Sequence, residues 1–241
     1  MSEVFEVVVD GQATSVPATA SLLDAVREAG VYVPVLCHDP RLKPQGSCGI
    51  CMVEVSRGGE WRQQAACATK VAPHLEVRTQ SEHLDQSRRW TIELLFSHHS
   101  RAARFHPERV GQGKKPPLVC ACQGHRTCAL RSLCLEAGAD PDHLGRRKLE
   151  DPPIELRSGI ELEMSKCVRC DRCVRICREV ASVEALSFMR RGHETTLVYA
   201  RPVDAERGAR CDACEASGAL CIDTCPTDAL HPPRGKKLKV L

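Results

Sequence analysis

The chain is short of aromatic residues: two Trp, two Tyr and four Phe make up 3% of its 241 residues. That scarcity excludes a large core anchored by stacked rings, and small cores usually depend on staples such as disulfides or metals. Charge of one sign is missing as well. Lys and Arg total 34 against 31 for Asp and Glu, a net +3 that offers no general field for nucleic acid or a lipid surface. The local basic runs, Arg88–Arg89, Arg146–Arg147–Lys148, Arg190–Arg191 and Lys236–Lys237, are expected to be solvated surface. No apolar run is long enough to span a bilayer. Glu3, Glu6 and Asp10 stand where a secretion signal would carry basic and then apolar residues, so the expected location is cytoplasmic. Neither a GxGxxG after a strand nor a P-loop occurs, and no nucleophile, general base or open metal site suggests catalysis.

Cysteine is what the chain has in excess. Its 16 cysteines fall into four groups of four with none left over. The groups are Cys37/Cys48/Cys51/Cys67, Cys120/Cys122/Cys128/Cys134, Cys167/Cys170/Cys173/Cys177 and Cys211/Cys214/Cys221/Cys225. In a reducing compartment such density points to metal or redox use rather than a disulfide framework. Thiolates in fours are how iron–sulfur clusters are held.

Between the cysteines, the pattern is α+β. Val4 to Val9 alternates as a strand, Asp10-Gly11 is a hairpin turn, and Gln12 to Val16 returns. Ser21 with Asp24 reads as a helix N-cap, Leu22, Leu23, Val26 and Ala29 as the buried face, and Gly30 as the stop. Met52 to Val55 and Leu75 to Val77 add strands, completing a β-grasp pattern over residues 1–80. Residues 81–103 have helical period, with Leu84, Ile92, Leu94, Leu95 and Phe96 as apolar members. Arg104 to Pro117 reads as a basic loop, Cys128 to Ala137 as a helix, and Gly138 to Pro153 as a second loop that ends a segment at 81–150. In 151–241 a hairpin over Ser187 to Arg201, with Gly192 at its turn, separates two cysteine runs, as if one unit had been duplicated.

The first group reads Cys37-x10-Cys48-x2-Cys51-x15-Cys67, with Gly46, Ser47 and Gly49 beside the central pair. Glycine lets the backbone approach a cluster and donate N–H bonds to its sulfurs. Three ligands on one loop and a fourth further on is how β-grasp ferredoxins hold [2Fe–2S], although the plant-type first spacer is shorter. The long first spacer resembles the large iron–sulfur subunit of respiratory complex I. It is equally similar to the diaphorase iron–sulfur subunit of NAD-reducing hydrogenases and to NAD-dependent formate dehydrogenases. A zinc site, which favours two close ligand pairs, is the competing reading.

Cys167-x2-Cys170-x2-Cys173-x3-Cys177 is the bacterial ferredoxin run, in which the fourth cysteine serves the other cluster. Cys211-x2-Cys214-x6-Cys221-x3-Cys225-Pro226 repeats it with a longer second spacer. Crossed over in that way, Cys167, Cys170, Cys173 and Cys225 hold one [4Fe–4S] cluster, and Cys211, Cys214, Cys221 and Cys177 hold another.

The second group is irregular. The resemblance implies a [4Fe–4S] cluster bound by one histidine and three cysteines, and His99 follows the Leu94-Leu95-Phe96 helix as the family's histidine does. Here, however, 20 residues separate His99 from Cys120, one residue separates Cys120 from Cys122, and Cys134 is an extra thiol. Two ligand sets follow: Cys120, Cys122, Cys128 and Cys134, which is preferred because lone histidines are seldom ligands, or His99 in place of Cys134.

The expected whole is an N-terminal β-grasp [2Fe–2S] ferredoxin domain, a small helical [4Fe–4S] segment and a C-terminal bacterial-type 2[4Fe–4S] ferredoxin domain. One [2Fe–2S] and three [4Fe–4S] clusters are the expected cofactors. By resemblance, such a chain passes electrons between an NAD(H)-binding flavoprotein subunit and a second catalytic subunit, a hydrogenase, formate dehydrogenase or other low-potential oxidoreductase. A zinc- or iron-binding interaction protein and a diffusible polyferredoxin are the competing functions.

Overall fold

In the computed structural model the described residues are 3–99, 104–105, 118–119, 128–141, 143–145, 153–157 and 159–233. The N-terminal unit is built on a five-stranded sheet with order β2-β1-β5-β3-β4. Its strands are β1 (Val4–Val9), β2 (Gln12–Pro17), β3 (Met52–Ser56), β4 (Arg62–Ala65) and β5 (Leu75–Arg78). The β1–β2 turn places Asp10 at φ +48° and Gly11 at φ +85°, the pair of left-handed residues that a tight two-residue hairpin requires. The Asp10 carboxylate then accepts from the Thr79 N–H and hydroxyl, at 2.8 and 2.6 Å, and ties the hairpin to the end of β5. β1 and β5 run parallel, while the other pairs are antiparallel.

Helix α1 (Leu22–Glu28) crosses this sheet. Ser21 and Asp24 form the expected capping box, Asp24 accepting from the Ser21 N–H at 2.8 Å and Ser21 Oγ from the Asp24 N–H at 3.2 Å. Leu22, Leu23, Ala25 and Val26 are buried against Val7, Val9, Val53 and Val77, and Cys51 and Cys67 belong to the same core.

Helix α2 (Glu82–Ser97) is capped by Ser81, whose Oγ accepts from the Leu84 N–H at 3.1 Å. Leu84, Arg88, Ile92 and Phe96 recur every fourth residue along its buried face. Three expectations are corrected here. The helix stops at Ser97 rather than 103. Leu94 points outward at 54% exposure. Arg88 is buried rather than solvated, because its guanidinium donates to the Met52 and Thr79 carbonyls at 2.7 and 2.8 Å, which the strand ends leave free. Arg104–Phe105 (β6), at the start of the stretch read as a loop, pairs with Leu118–Val119 (β7) just past its end. Helix α3 (Ala129–Ala137) starts at Cys128, ends in Gly138 at φ +58°, and packs on α2.

The C-terminal unit holds a three-stranded sheet, order β12-β9-β8, from β8 (Ile154–Arg157), β9 (Ile160–Leu162) and β12 (Leu230–His231). The expected hairpin is present as β10 (Leu186–Met189) and β11 (Thr196–Tyr199), with a short 3-10 turn at Gly192–Glu194. Helices α4 (Arg172–Glu179), α5 (Ala205–Ala216) and α6 (Leu220–Asp223) carry or flank the last eight cysteines. Among the described residues no helix is long and apolar enough to cross a membrane.

Candidate metal-cluster sites

The first four cysteines converge. Cys37 opens the loop after α1, Cys48 and Cys51 sit on the turn into β3, and Cys67 follows β4. The neighbouring Cys48 and Cys67 thiols, and then the Ser47 hydroxyl and the Cys48 N–H, hold the Cys37 thiol far below the usual range against burial. Cys51 is drawn down to about 7, chiefly by hydrogen bonding to Cys67. Cys48 and Cys67 are pushed up, first by their contacts with Cys37 and then, for Cys67, with Cys51, and by burial. Four thiols close enough to shift one another's protonation are gathered for a shared metal group. The chain reaches this geometry through Gly46 and Gly49, at φ +68° and +69°. A Cβ on Gly46 would also stand 3.0 Å from the Ala68 side chain.

In the C-terminal unit two small cavities sort the remaining eight cysteines. One, of about 20 Å³, is lined by Cys167, Cys170, Cys173 and Cys225 with Leu162 and Phe188. The other, of about 40 Å³, is lined by Cys177, Cys211, Cys214 and Cys221 with Arg157 and Tyr199. Cys173 and Cys177 are one turn apart on α4, yet they open into different cavities, so this helix is the shared wall. Each ring therefore draws three cysteines from one run and the fourth from the other.

Burial raises these thiols, Cys167 to about 11, Cys170 and Cys221 to about 12, and Cys173 well above the ordinary range. Backbone N–H groups oppose burial by donating to the sulfurs: Arg169 to Cys167, Arg172 to Cys170, and Ala185 to Cys177 at 3.3 Å. Arg157 adds a cation to the second ring, donating to Cys211 Sγ and to the Tyr199 hydroxyl at 3.0 Å while pairing with Glu215 at 2.9 Å. Apolar walls, sulfurs in fours and N–H donors aimed at them fit an iron–sulfur group in each site. Among the described residues, no three His, Cys, Asp or Glu side chains are placed to hold a single metal ion.

The middle group is only partly described, since Cys120 and Cys122 lie outside the described residues. Cys128 is buried at the start of α3. Cys134 is buried one and a half turns on, donates its S–H to the Ala139 carbonyl at 3.3 Å, and is raised to about 12 by burial and then by Glu93 and Asp140. Its bond to a carbonyl, and not the rise with burial that it shares with Cys170 and Cys221, is what sets Cys134 apart from the ring thiols. His99 is buried just past α2, its ring 5.8 Å from that of Phe96.

Comparison with known proteins finds cluster-binding domains in both units. Residues 2–82 match the 2Fe-2S iron-sulfur cluster binding domain, and residues 158–231 match the ferredoxin-like domain of NADH-quinone oxidoreductase subunit 3. The NADPH-Fe(3+) oxidoreductase subunit alpha of Geobacter sulfurreducens is 30% identical over 230 residues, covering 92% of this chain and 23% of its own length. This chain therefore carries a 2Fe-2S cluster binding domain followed by a subunit 3 ferredoxin-like domain, and is similar to iron–sulfur subunits of oxidoreductases. The mitochondrial NADH dehydrogenase [ubiquinone] iron-sulfur protein 1 of Solanum tuberosum is 29% identical over 230 residues, covering 95% of this chain and 27% of its own. The chain thus spans about a quarter of the curated relatives' length. A chain from the crystal structure of an NAD+-reducing [NiFe]-hydrogenase in the H2-reduced state superposes with a TM-score of 0.72 at 26% identity, covering 96% of this chain and 88% of that one.

Several polar residues around these sites carry little signal of their role in the sequence: Arg157 at Cys211, and Asp39, Arg172 and Thr224 between the two units, while Arg88, near Cys51, reads there as surface. Arg172 and Thr224 each precede a cysteine directly, the one local signal that could have marked them.

Proposed function

We propose that this chain is a multi-cluster electron relay, itself without a catalytic centre, between an NAD(H)-binding flavoprotein subunit and a second catalytic oxidoreductase subunit. The sorting of eight C-terminal cysteines into two crossed rings of four carries the reading. Cys37, Cys48, Cys51 and Cys67 hold [2Fe–2S]. Cys167, Cys170, Cys173 and Cys225 hold one [4Fe–4S], and Cys177, Cys211, Cys214 and Cys221 hold a second. Cys120, Cys122 and Cys128 hold a third with His99 as fourth ligand, a choice supported by the hydrogen bond that engages Cys134 elsewhere. The layout is 1–80, 81–150 and 151–241, and the location is cytoplasmic.

Bound in these rings, iron–sulfur clusters carry single electrons reversibly. The protein's own residues fix where the sulfurs stand, exclude water with Leu162, Ile160 and Leu186, and place positive charge near chosen sulfurs through Arg88 and Arg157. The partner classes follow from the relatives, whose names join NADPH to Fe(3+) or NADH to ubiquinone, and from the likeness to a hydrogenase chain.

Anaerobic purification tests the reading, with Cys225→Ser and Cys177→Ser compared by EPR. Crossing over predicts that Cys225→Ser alters the signal that Cys167→Ser alters, and Cys177→Ser the signal that Cys211→Ser alters. The reverse grouping contradicts it. Mass spectrometry of co-eluting chains should find a flavoprotein; elution of the chain alone favours the diffusible polyferredoxin.

A further inference from the structure

The loop that carries Cys37 does not end at its own domain. It runs on through Asp39, which is only 2% exposed, and there it meets the C-terminal unit. Asp39 Oδ2 accepts from Arg172 Nη2 at 2.8 Å, from Thr224 Oγ1 at 2.9 Å and from Arg41 Nη2 at 2.8 Å, while Oδ1 accepts from the Arg41 N–H and Nε at 3.0 and 2.9 Å. The contacts close on themselves. Arg172 also donates to the Leu36 carbonyl at 3.2 Å and to Thr224 Oγ1 at 3.1 Å, and Arg41 reaches Asp223 at 2.9 Å. Further along, Arg175 donates to Gln45 Oε1 at 3.0 Å and to the Lys43 carbonyl, and the Lys43 N–H donates to Glu179 at 3.2 Å.

The positions of these partners in the chain give the contact its meaning. Arg172 immediately precedes Cys173, Thr224 immediately precedes Cys225, and Asp39 lies two residues after Cys37. One buried carboxylate therefore joins the backbone next to a cysteine of the first group with the backbone next to two cysteines of the ring formed by Cys167, Cys170, Cys173 and Cys225. Local turn closure needs only the bonds from Arg41; it gives no reason to recruit two further donors from residues more than 130 positions away.

We infer that Asp39 is a positioning residue that locks the Cys37 loop onto the Cys173 and Cys225 segments and so sets the gap between the two-iron site and the four-iron site to which Cys173 and Cys225 belong. Buried, charge-assisted bonds with fixed geometry suit this task, because leaving either partner uncompensated is costly and so resists sliding of one unit on the other. The inference rests on the cysteine groups being cluster sites.

The test uses the full-length, cluster-loaded chain under anaerobic conditions, comparing wild type with Asp39→Asn and Thr224→Val. Hydrogen–deuterium exchange, the power saturation of the two-iron EPR signal, iron content and midpoint potentials are read on each. In Asp39→Asn, protection should fall by about 100-fold together in residues 36–45, 170–176 and 222–227, while the β1–β2 hairpin is unchanged. Thr224→Val should show the same pattern at about 10-fold, and it decides the matter if Asp39→Asn fails to fold. The two-iron signal should saturate at lower power as the neighbouring paramagnet moves away, with iron content and potentials kept. Loss of protection confined to 36–45 would reduce Asp39 to a local turn, and unchanged saturation alongside lost protection would remove it from setting the gap; either overturns the inference. A wild-type chain without iron instead sinks the cluster reading, which the exchange data do not depend on.

Discussion

Replacing Glu163 with Gln should destabilise the C-terminal unit by about 3 kcal/mol at pH 6 and flatten its response to alkali. Glu163 is 3% exposed, beside Lys166 Nζ at 2.7 Å and His231 Nε2 at 3.5 Å, and His231 also faces Glu161 at 3.8 Å. Its N–H donates to the Ala229 carbonyl at 2.8 Å, so this cluster joins β9 to β12 and leads into Cys167. The neighbouring His231 ring, and then Lys166, hold the Glu163 carboxyl at about 2 against burial, below the ordinary 4.5. A displacement of that size corresponds to about 3 kcal/mol at neutral pH. The same contact raises His231 above its ordinary 6.5, with Asp228 acting in the same direction and Lys166 against it. The two groups have opposite signs. The Glu163 contribution is complete above pH 4.5 and is lost as pH falls toward about 2. The His231 contribution is complete below 6.5 and is lost as pH rises through its higher folded value. Acid also protonates the cysteine thiolates, so the alkaline arm is the cleaner one. Anaerobic denaturant titrations at pH 6, 7.5 and 9 should show wild type weakening as pH rises and Glu163→Gln weaker at pH 6 with a shallower slope. Equal stability at pH 6 with the same slope would refute the reasoning.

Gly46→Ala should lower occupancy of the two-iron site and cost about 1–2 kcal/mol, because φ +68° and the 3.0 Å approach to Ala68 both oppose a Cβ. Iron content and the two-iron EPR signal measure this, with the four-iron signals as control. Cys134→Ala should leave all cluster signals in place and cost about 1 kcal/mol from the lost S–H bond and packing; disappearance of a four-iron signal would return Cys134 to the ligand shell. Arg157→Gln should lower the midpoint potential of the Cys211 ring alone, since a cation beside a ligand sulfur favours the more negative, reduced state. An unchanged potential in an EPR-monitored titration would deny Arg157 that influence.

The parts of this fold that were legible in the sequence are those fixed by local chemistry. Asp10-Gly11 forces a tight hairpin whatever surrounds it, and Ser21 with Asp24 caps α1 using only its own first turn. Cysteine spacing was legible because ligand runs are short. The missed elements depend on distant partners. β4, Arg-Gln-Gln-Ala, has no apolar alternation and exists as an edge strand because β3 pairs with it. β9 and β12 are three and two residues long and meet through Leu162 and Leu230, which no local pattern connects. Arg88 looked like surface because a charged pair normally is; two free strand-end carbonyls bury it instead. Asp39 and Arg157 failed to stand out for the same reason, since their partners lie over 130 and over 50 residues away.

Iron, acid-labile sulfide and zinc measured on anaerobically purified protein, with Mössbauer spectra to separate two-iron from four-iron centres, test the central claim most directly. One two-iron and three four-iron clusters amount to about 14 iron atoms per chain with matching sulfide. Stoichiometric zinc without sulfide would contradict the account.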